Sequence, residues 1–180
     1  MIIVFTGNGK GKTTAAFGQA IRALGQGKKV LIIQFIKGSF RSGEEFFTKK
    51  LRIIKGGKGF VGILGDKLPF SEHKKAAQKT LKLAAQKIKS KKYDLIVLDE
   101  INVAVNLKLI KEIDVLKILK GIRTNLRQSA SNLRQSALVV ILTGRSAPKS
   151  FIKQADLVTE MKEVKHPFKK GVRAKKGIEF

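Results

Sequence analysis

The sequence predicts a three-layer α/β fold with a mainly parallel central sheet, and three observations carry that prediction. The chain opens with an apolar run, a glycine-rich turn and a helix-like segment in direct succession, Met1 to Thr14 (MIIVFTGNGKGKTT). Further apolar runs at Lys29–Phe35, Tyr93–Glu100 and Leu138–Leu142 lack strict alternation, as strands covered on both faces do. Segments of helical period lie between them, and strands alternating with helices favour parallel pairing through right-handed crossovers.

The elements follow in order. Ile2–Phe5 reads as a buried strand, and Thr14–Gly25 as a helix with a broad apolar face of Ala15, Ala16, Phe17, Ala20, Ile21, Ala23 and Leu24, with Gly25 and Gly27 as stop signals. Lys29–Phe35 is the second strand. Gln34–Glu45 reads as a loop that carries Lys37, Arg41 and Glu44 beyond a strand's carboxyl end, where open α/β sheets bind ligands. Leu51–Ile54 is a short strand, and Gly56–Gly65, with five glycines, a flexible loop. Ser71 is placed to cap a helix over Glu72–Lys89, with Ala77, Leu81, Ala84 and Ile88 on one face; His73 falls among its lysines and reads as exposed. Tyr93–Glu100 is a strand ending in two acids. A helical stretch starts near Asn102, and Asp114 can cap a further helix. NLRQSA occurs at Asn125–Ala130 and again at Asn132–Ala137; seven residues are about two helical turns, so the copy preserves a face and reads as a local duplication. Leu138–Leu142 is a strand, Ser146–Pro148 begins a short helix, and Leu157–Met161 is the last strand. The basic tail from Glu163 is expected to lie over the sheet ends, leaving residues 1–180 as a single domain.

The first turn has the chemistry of a phosphate-binding loop. Its glycines let several N–H groups converge, Lys12 adds a mobile cation, and the helix that follows turns its unpaired N–H groups to the same point. The Thr13 hydroxyl is placed to ligate Mg²⁺. Thr6 stands where such loops usually have glycine, and Gly7 comes one residue later. Asp99 and Glu100 then read as the acid pair that meets this threonine and its metal, an arrangement called Walker B. Arg145, after the strand ending at Leu142, is suited either to a phosphate or to an ion pair with a neighbouring acid. Together these features make the fold P-loop NTPase-like (RecA-like).

Composition bounds the rest. Hydrophobic residues make up 43% of the chain, enough for a globular core. No run approaches eighteen apolar residues and no signal peptide is visible, so a membrane association is not expected. With no cysteine the chain has neither disulfides nor thiolate metal sites, which fits the cytoplasm. The net charge of +25 reads either as a polyanion partner or as a lysine-rich surface on an ordinary enzyme. The cations are spread along the whole chain with one Tyr and no Trp among them, which favours the second reading; a nucleic-acid partner is not expected.

Several segments in order resemble the ATP:corrinoid adenosyltransferases: TGNGKGKTTAAFGQAIRALG, QFIKG with GEE, YDLIVLDEIN, ILTGRSAP, ADLVTEMKEVKHPF and GIEF. They span nearly the full length, and the Thr6 variant of the loop looks like the family's own. The resemblance implies a cytoplasmic transferase that moves the 5′-deoxyadenosyl group of ATP to the Co(I) of a reduced corrinoid (cobalamin or cobinamide), releasing triphosphate. By the same resemblance Gly7, Asn8, Gly9, Lys10, Gly11, Lys12, Thr13 and Thr14 hold the triphosphate. Thr13 and Glu100 hold Mg²⁺, with Asp99 as a further partner. Lys12, Thr13 and Glu100 are the catalytic set, Lys37 and Arg145 contact the nucleotide, and Glu44 lies near the ribose. A homodimer and a reductase supplying electrons to Co(II) are implied partners, and His166 in KHP is given a structural role. Two departures stand out. Family members carry Gly-Phe-Thr-Trp where this chain has Gly59-Phe60-Val61-Gly62, so Phe60 remains and Gly62 replaces the tryptophan that helps displace the corrinoid's lower ligand. The chain begins at its first strand, where longer members have a helical extension, so weaker closure over the corrinoid is expected. The alternatives are a nucleic-acid-binding P-loop ATPase and a corrinoid carrier without activity.

Overall fold

In the computed structural model, all residues are described except 40–41, 48–49, 64, 130–137, 168–170 and 179–180. Six strands form one sheet in which every pairing is parallel: β1 (Ile2–Thr6), β2 (Val30–Gln34), β3 (Arg52–Lys55), β4 (Leu95–Asp99), β5 (Val139–Thr143) and β6 (Leu157–Glu160), in the order β3-β2-β4-β5-β1-β6. One strand, β5, separates the phosphate-loop strand β1 from the acid-bearing strand β4, as in RecA-like sheets. Parallel strands all point the same way, so every loop that leaves a strand emerges at one edge of the sheet.

Alternation along the strands divides the core into two layers. Ile3, Ile32, Val97 and Ile141 face α1 (Lys12–Gly25) through Ala16, Phe17 and Ala20. Ile2, Val4, Leu31, Ile33, Ile96, Leu98, Val140 and Leu142 face the other way. There α3 (Phe70–Lys89), α4 (Ile101–Asn106), α5 (Glu112–Ser129) and α6 (Lys149–Gln154) cover them with Ala77, Ala104, Leu119 and Phe151. The central strands β2 and β4 are buried at every position, which is why their sequences run apolar without alternation.

Several sequence expectations are corrected. A short helix, α2 (Glu44–Phe47), interrupts the predicted loop after β2. Helix α3 starts at Phe70 with Pro69 at its N-cap, so Ser71 lies inside the first turn and caps nothing. Proline suits this boundary because the first N–H groups of a helix have no intrahelical partner to lose. Asp114 is likewise in the first turn of α5, which begins two residues earlier at Glu112; the acid still faces the helix's positive end. His73, predicted exposed, is 3% exposed. Arg41 and the second NLRQSA copy lie outside the described residues.

Candidate nucleotide-binding cleft

The loop after β1 is fastened before it turns. Thr6, only 7% exposed, accepts a hydrogen bond from the Ala147 N–H on its Oγ1 (2.9 Å) and one from the Met161 N–H on its carbonyl (2.8 Å). A glycine here would forfeit the side-chain bond, so the threonine departure has a structural cause. Gly7 and Gly11 both have positive φ, +95° and +111°. Gly9 donates its N–H to Met161 O (2.7 Å), and a Cβ on Gly9 would stand 2.8 Å from the Met161–Lys162 backbone. These glycines therefore serve packing against the exit of β6 as well as the bend.

Lys12 opens α1, buried at 7% exposure, and its Nζ donates to the Gly9 carbonyl (2.5 Å). Burial lowers its pKa; the nearby Glu100 pulls it up and Arg145 pulls it down. Asp99, at the end of β4 and 1% exposed, gathers donors from three elements. Thr13 Oγ1 (2.8 Å) and Thr143 Oγ1 (2.8 Å) both donate to its Oδ1, and Gln34 Nε2 donates to its Oδ2 (3.0 Å). The first helical turn is thus tied to β2, β4 and β5 through one buried carboxylate.

Glu100 has the opposite environment. Its backbone is left-handed (φ +60°), with its N–H donating to Thr143 Oγ1 (2.9 Å). Among the described residues its carboxylate has neither a hydrogen bond nor an ion pair. Burial, reinforced by the adjacent Asp99 charge, raises its pKa to about 7 against the pull of Lys12, Arg145 and Lys37. The loop beside it, Thr143–Ser146, is held from α4: Asn102 Nδ2 donates to Gly144 O (3.1 Å), and Asn106 Nδ2 donates to Arg145 O (3.1 Å) and Ser146 O (2.8 Å). Gly144 (φ +128°) sits where a Cβ would come 3.2 Å from Glu100 Oε2.

One cleft of about 600 Å³ brings the predicted residues together. The run Asn8–Thr14 forms its floor, Lys37, Glu44 and Arg145 its charged rim, and Glu100 its acidic wall. Lys37 and Glu44 approach to 4.0 Å across the rim. Phe60 also lines the cleft and is 58% exposed. Asp99 stays beneath the floor, hydrogen-bonded to Thr13, and Gly7 lies at the loop's hinge against Met161. Among the described residues Arg145 makes no ion pair, leaving it open to an anion. His166 and Ile178 of the tail also line the cleft.

Sequence reasoning missed Gln34, Thr143, Asn102 and Asn106, which hold the site without facing it. Gln34 and Thr143 had a signal: each is the one polar residue ending an apolar run at the sheet's carboxyl edge.

A glycine loop opening the first helix, an acid pair closing β4 and a cation-rimmed cleft at the carboxyl edge of a parallel sheet define a P-loop NTPase-like α/β protein. The chain belongs to the ATP:corrinoid adenosyltransferase family BtuR/CobO/CobP, which it matches over residues 1–180. It is 38% identical over 184 residues to the corrinoid adenosyltransferase of Pseudomonas aeruginosa, covering all of this chain and 83% of the relative. It is 35% identical over 184 residues to the corrinoid adenosyltransferase of Escherichia coli K12, again covering all of this chain and 85% of that protein. The relative from Salmonella typhimurium, corrinoid adenosyltransferase CobA, is 35% identical over 185 residues, with the same coverage. These relatives do not favour a nucleic-acid-dependent ATPase.

Proposed function

We propose that this chain transfers the 5′-deoxyadenosyl group of ATP to the Co(I) of a reduced corrinoid and releases triphosphate. The observation that carries the reading is the cleft in which a phosphate loop, Lys37, Arg145 and an exposed aromatic ring meet, in a chain of this family.

The reaction needs a good leaving group more than a base. Co(I) donates an electron pair to C5′, the C5′–O bond breaks, and its pair departs on the triphosphate; cobalt ends as Co(III). No proton changes hands, so Glu100 is not a general base. Lys12, Lys37, Arg145 and the loop N–H groups take up the negative charge that grows on the triphosphate. Lys12 can exchange the Gly9 carbonyl for a phosphate oxygen at little cost, since both are acceptors. Phe60 offers a flat apolar surface on the corrinoid side.

The residues also fit Mg²⁺. Glu100 is a hard oxygen donor with no hydrogen-bond partner among the described residues, its charge disfavoured by burial and by Asp99, as a carboxylate awaiting a cation is. Thr13 and Glu100 would hold the ion, with Asp99 orienting the Thr13 hydroxyl, and the ion would neutralise triphosphate charge. A homodimer, a cytoplasmic location and a separate reductant for Co(II) complete the reading.

The test is incubation with ATP, Mg²⁺ and chemically reduced cobalamin. Light-sensitive adenosylcobalamin and triphosphate in equal amounts are expected. ADP and phosphate alone, or corrinoid binding without alkylation, would overturn the assignment. Light scattering tests the dimer.

A further inference from the structure

The segment carrying Phe60 is held by a pair of residues that neither the cleft nor the loop chemistry uses. Gly59 (φ +113°) and Gly62 (φ +68°) flank Phe60-Val61 as left-handed turns. Val61 packs inward on the main core while Phe60 points to the cleft. At its start, the turn is pinned by the Gly59 N–H donating to Ile36 O (2.9 Å). At its end, Asp66 closes it: Oδ2 accepts the Gly62 N–H (2.9 Å) and Oδ1 accepts the Leu68 N–H (3.1 Å). The same Oδ2 lies 2.9 Å from His73 Nε2. The His73 side chain is 2% exposed and stands on the buried stripe of α3 with Ala77, Thr80, Leu81 and Ala84.

These facts fit together in one way. A stretch rich in glycine has many conformations to lose, and a bare aromatic on it would present its ring only part of the time. Asp66 removes that freedom by holding two backbone N–H groups, and His73 anchors Asp66 to a long helix packed on the core. The left-handed conformation of Gly62 disfavours any side chain there, so the tryptophan found at this position in the resembling family does not belong to this turn. We propose that Asp66 and His73 are positioning residues that pre-organise Phe60 for the corrinoid, setting the affinity for that substrate and leaving ATP binding alone. The proposal rests on the adenosyltransferase reading for the name of the ligand, and on the turn's own geometry for the rest.

The experiment compares the wild-type chain with D66N, H73A, H73Q, F60A and the double variant H73A/F60A. Hydrogen exchange of residues 59–68, read by mass spectrometry, is expected to speed up in D66N and H73A while strands β2 and β4 keep their protection. The corrinoid KM is expected to rise roughly tenfold, the order of one lost aromatic contact, with the ATP KM unchanged. H73Q, which can still donate to Asp66, should recover part of the loss. In the F60A background H73A should add nothing. Additive losses in the double variant, equal changes in both KM values, or unchanged exchange would overturn the proposal. Exchange needs no turnover, and corrinoid binding can be followed by its absorption. A wild-type chain that fails to adenosylate therefore defeats the function, whereas normal adenosylation with an unchanged corrinoid KM in H73A defeats the positioning role.

Discussion

At the scale of single residues, adjacent acids with different surroundings do different work. Asp99 receives three hydrogen bonds and is part of the scaffold; Glu100 receives none among the described residues, and burial beside Asp99 pushes its pKa up to about 7. The sign of its effect on stability follows from the direction of its shift. A carboxyl whose folded pKa lies above its unfolded value of 4.5 favours folding most at low pH, and that contribution is lost as pH rises through about 7. The full shift corresponds to at most about 3 kcal/mol, and partial exposure trims it. Glu100→Gln should therefore be close to wild type in stability near pH 4.5 and more stable at pH 8, without ligand, while adenosylation falls about a hundredfold. Urea melts at the two pH values decide it: parallel pH dependence in both proteins would refute the assignment. Thr6 makes the complementary point. Thr6→Gly leaves the Ala147 N–H without its acceptor and should cost about 1–3 kcal/mol in stability. A variant as stable as wild type would show that the threonine has no structural cause after all.

At the scale of elements, the phosphate loop and β6 form one unit. Gly7 and Gly9 are pressed on Met161 and Lys162, and the Gly9 N–H to Met161 O bond closes the contact. Gly9→Ala should push the loop off β6 and cost about 1–3 kcal/mol. Gly7→Ala should cost more, because its φ adds a left-handed penalty of about 1–2 kcal/mol. ATP affinity should drop in both, measured by calorimetry; a Gly9→Ala chain that binds ATP normally would mean the loop tolerates the shift. This contact was not legible in the sequence, since nothing local says which strand lies beside β1. What was legible follows the physics of burial. Strands covered on both faces must be apolar throughout, so β1, β2, β4 and β5 showed themselves, and Lys12 and Thr13 marked the start of α1. Ends of helices were less visible: α3 starts at Phe70 behind Pro69 and α5 at Glu112, where Ser71 and Asp114 had offered better-known caps. His73 was misplaced because its neighbours on α3 are lysines. The reason for its burial is Asp66, on a turn that no periodicity marks.

At the scale of the whole molecule, the charge is one-sided, at +25. Even if each of the 13 acids paired with a separate cation, 25 of the 38 lysines and arginines would remain uncompensated. The excess is not confined to the nucleotide cleft. At the other end of the sheet Lys28, Lys29, Lys50, Arg52 and Lys92 line a second hollow with no acid among its lining residues. Like charges over a compact surface repel, and unfolding relieves that repulsion by spreading them apart. Added salt shortens the reach of each charge, from about 10 Å at 0.1 M to about 3 Å at 1 M. The melting temperature should therefore climb steadily with NaCl between low salt and 0.5 M, each kcal/mol recovered appearing as about 2–4 °C. Tripolyphosphate separates this general repulsion from the site. At concentrations too low to screen, it should still raise Tm by binding the loop, and Lys12→Ala should abolish that rise while leaving the NaCl slope intact. If Lys12→Ala flattened both responses, the charge problem would be local to the cleft; if Tm ignored NaCl, the surface lysines would lie too far apart to repel. The first pattern, with the two effects separable, is the one expected of an enzyme whose excess cations are spread along the chain and whose phosphate site is built at one edge of the sheet.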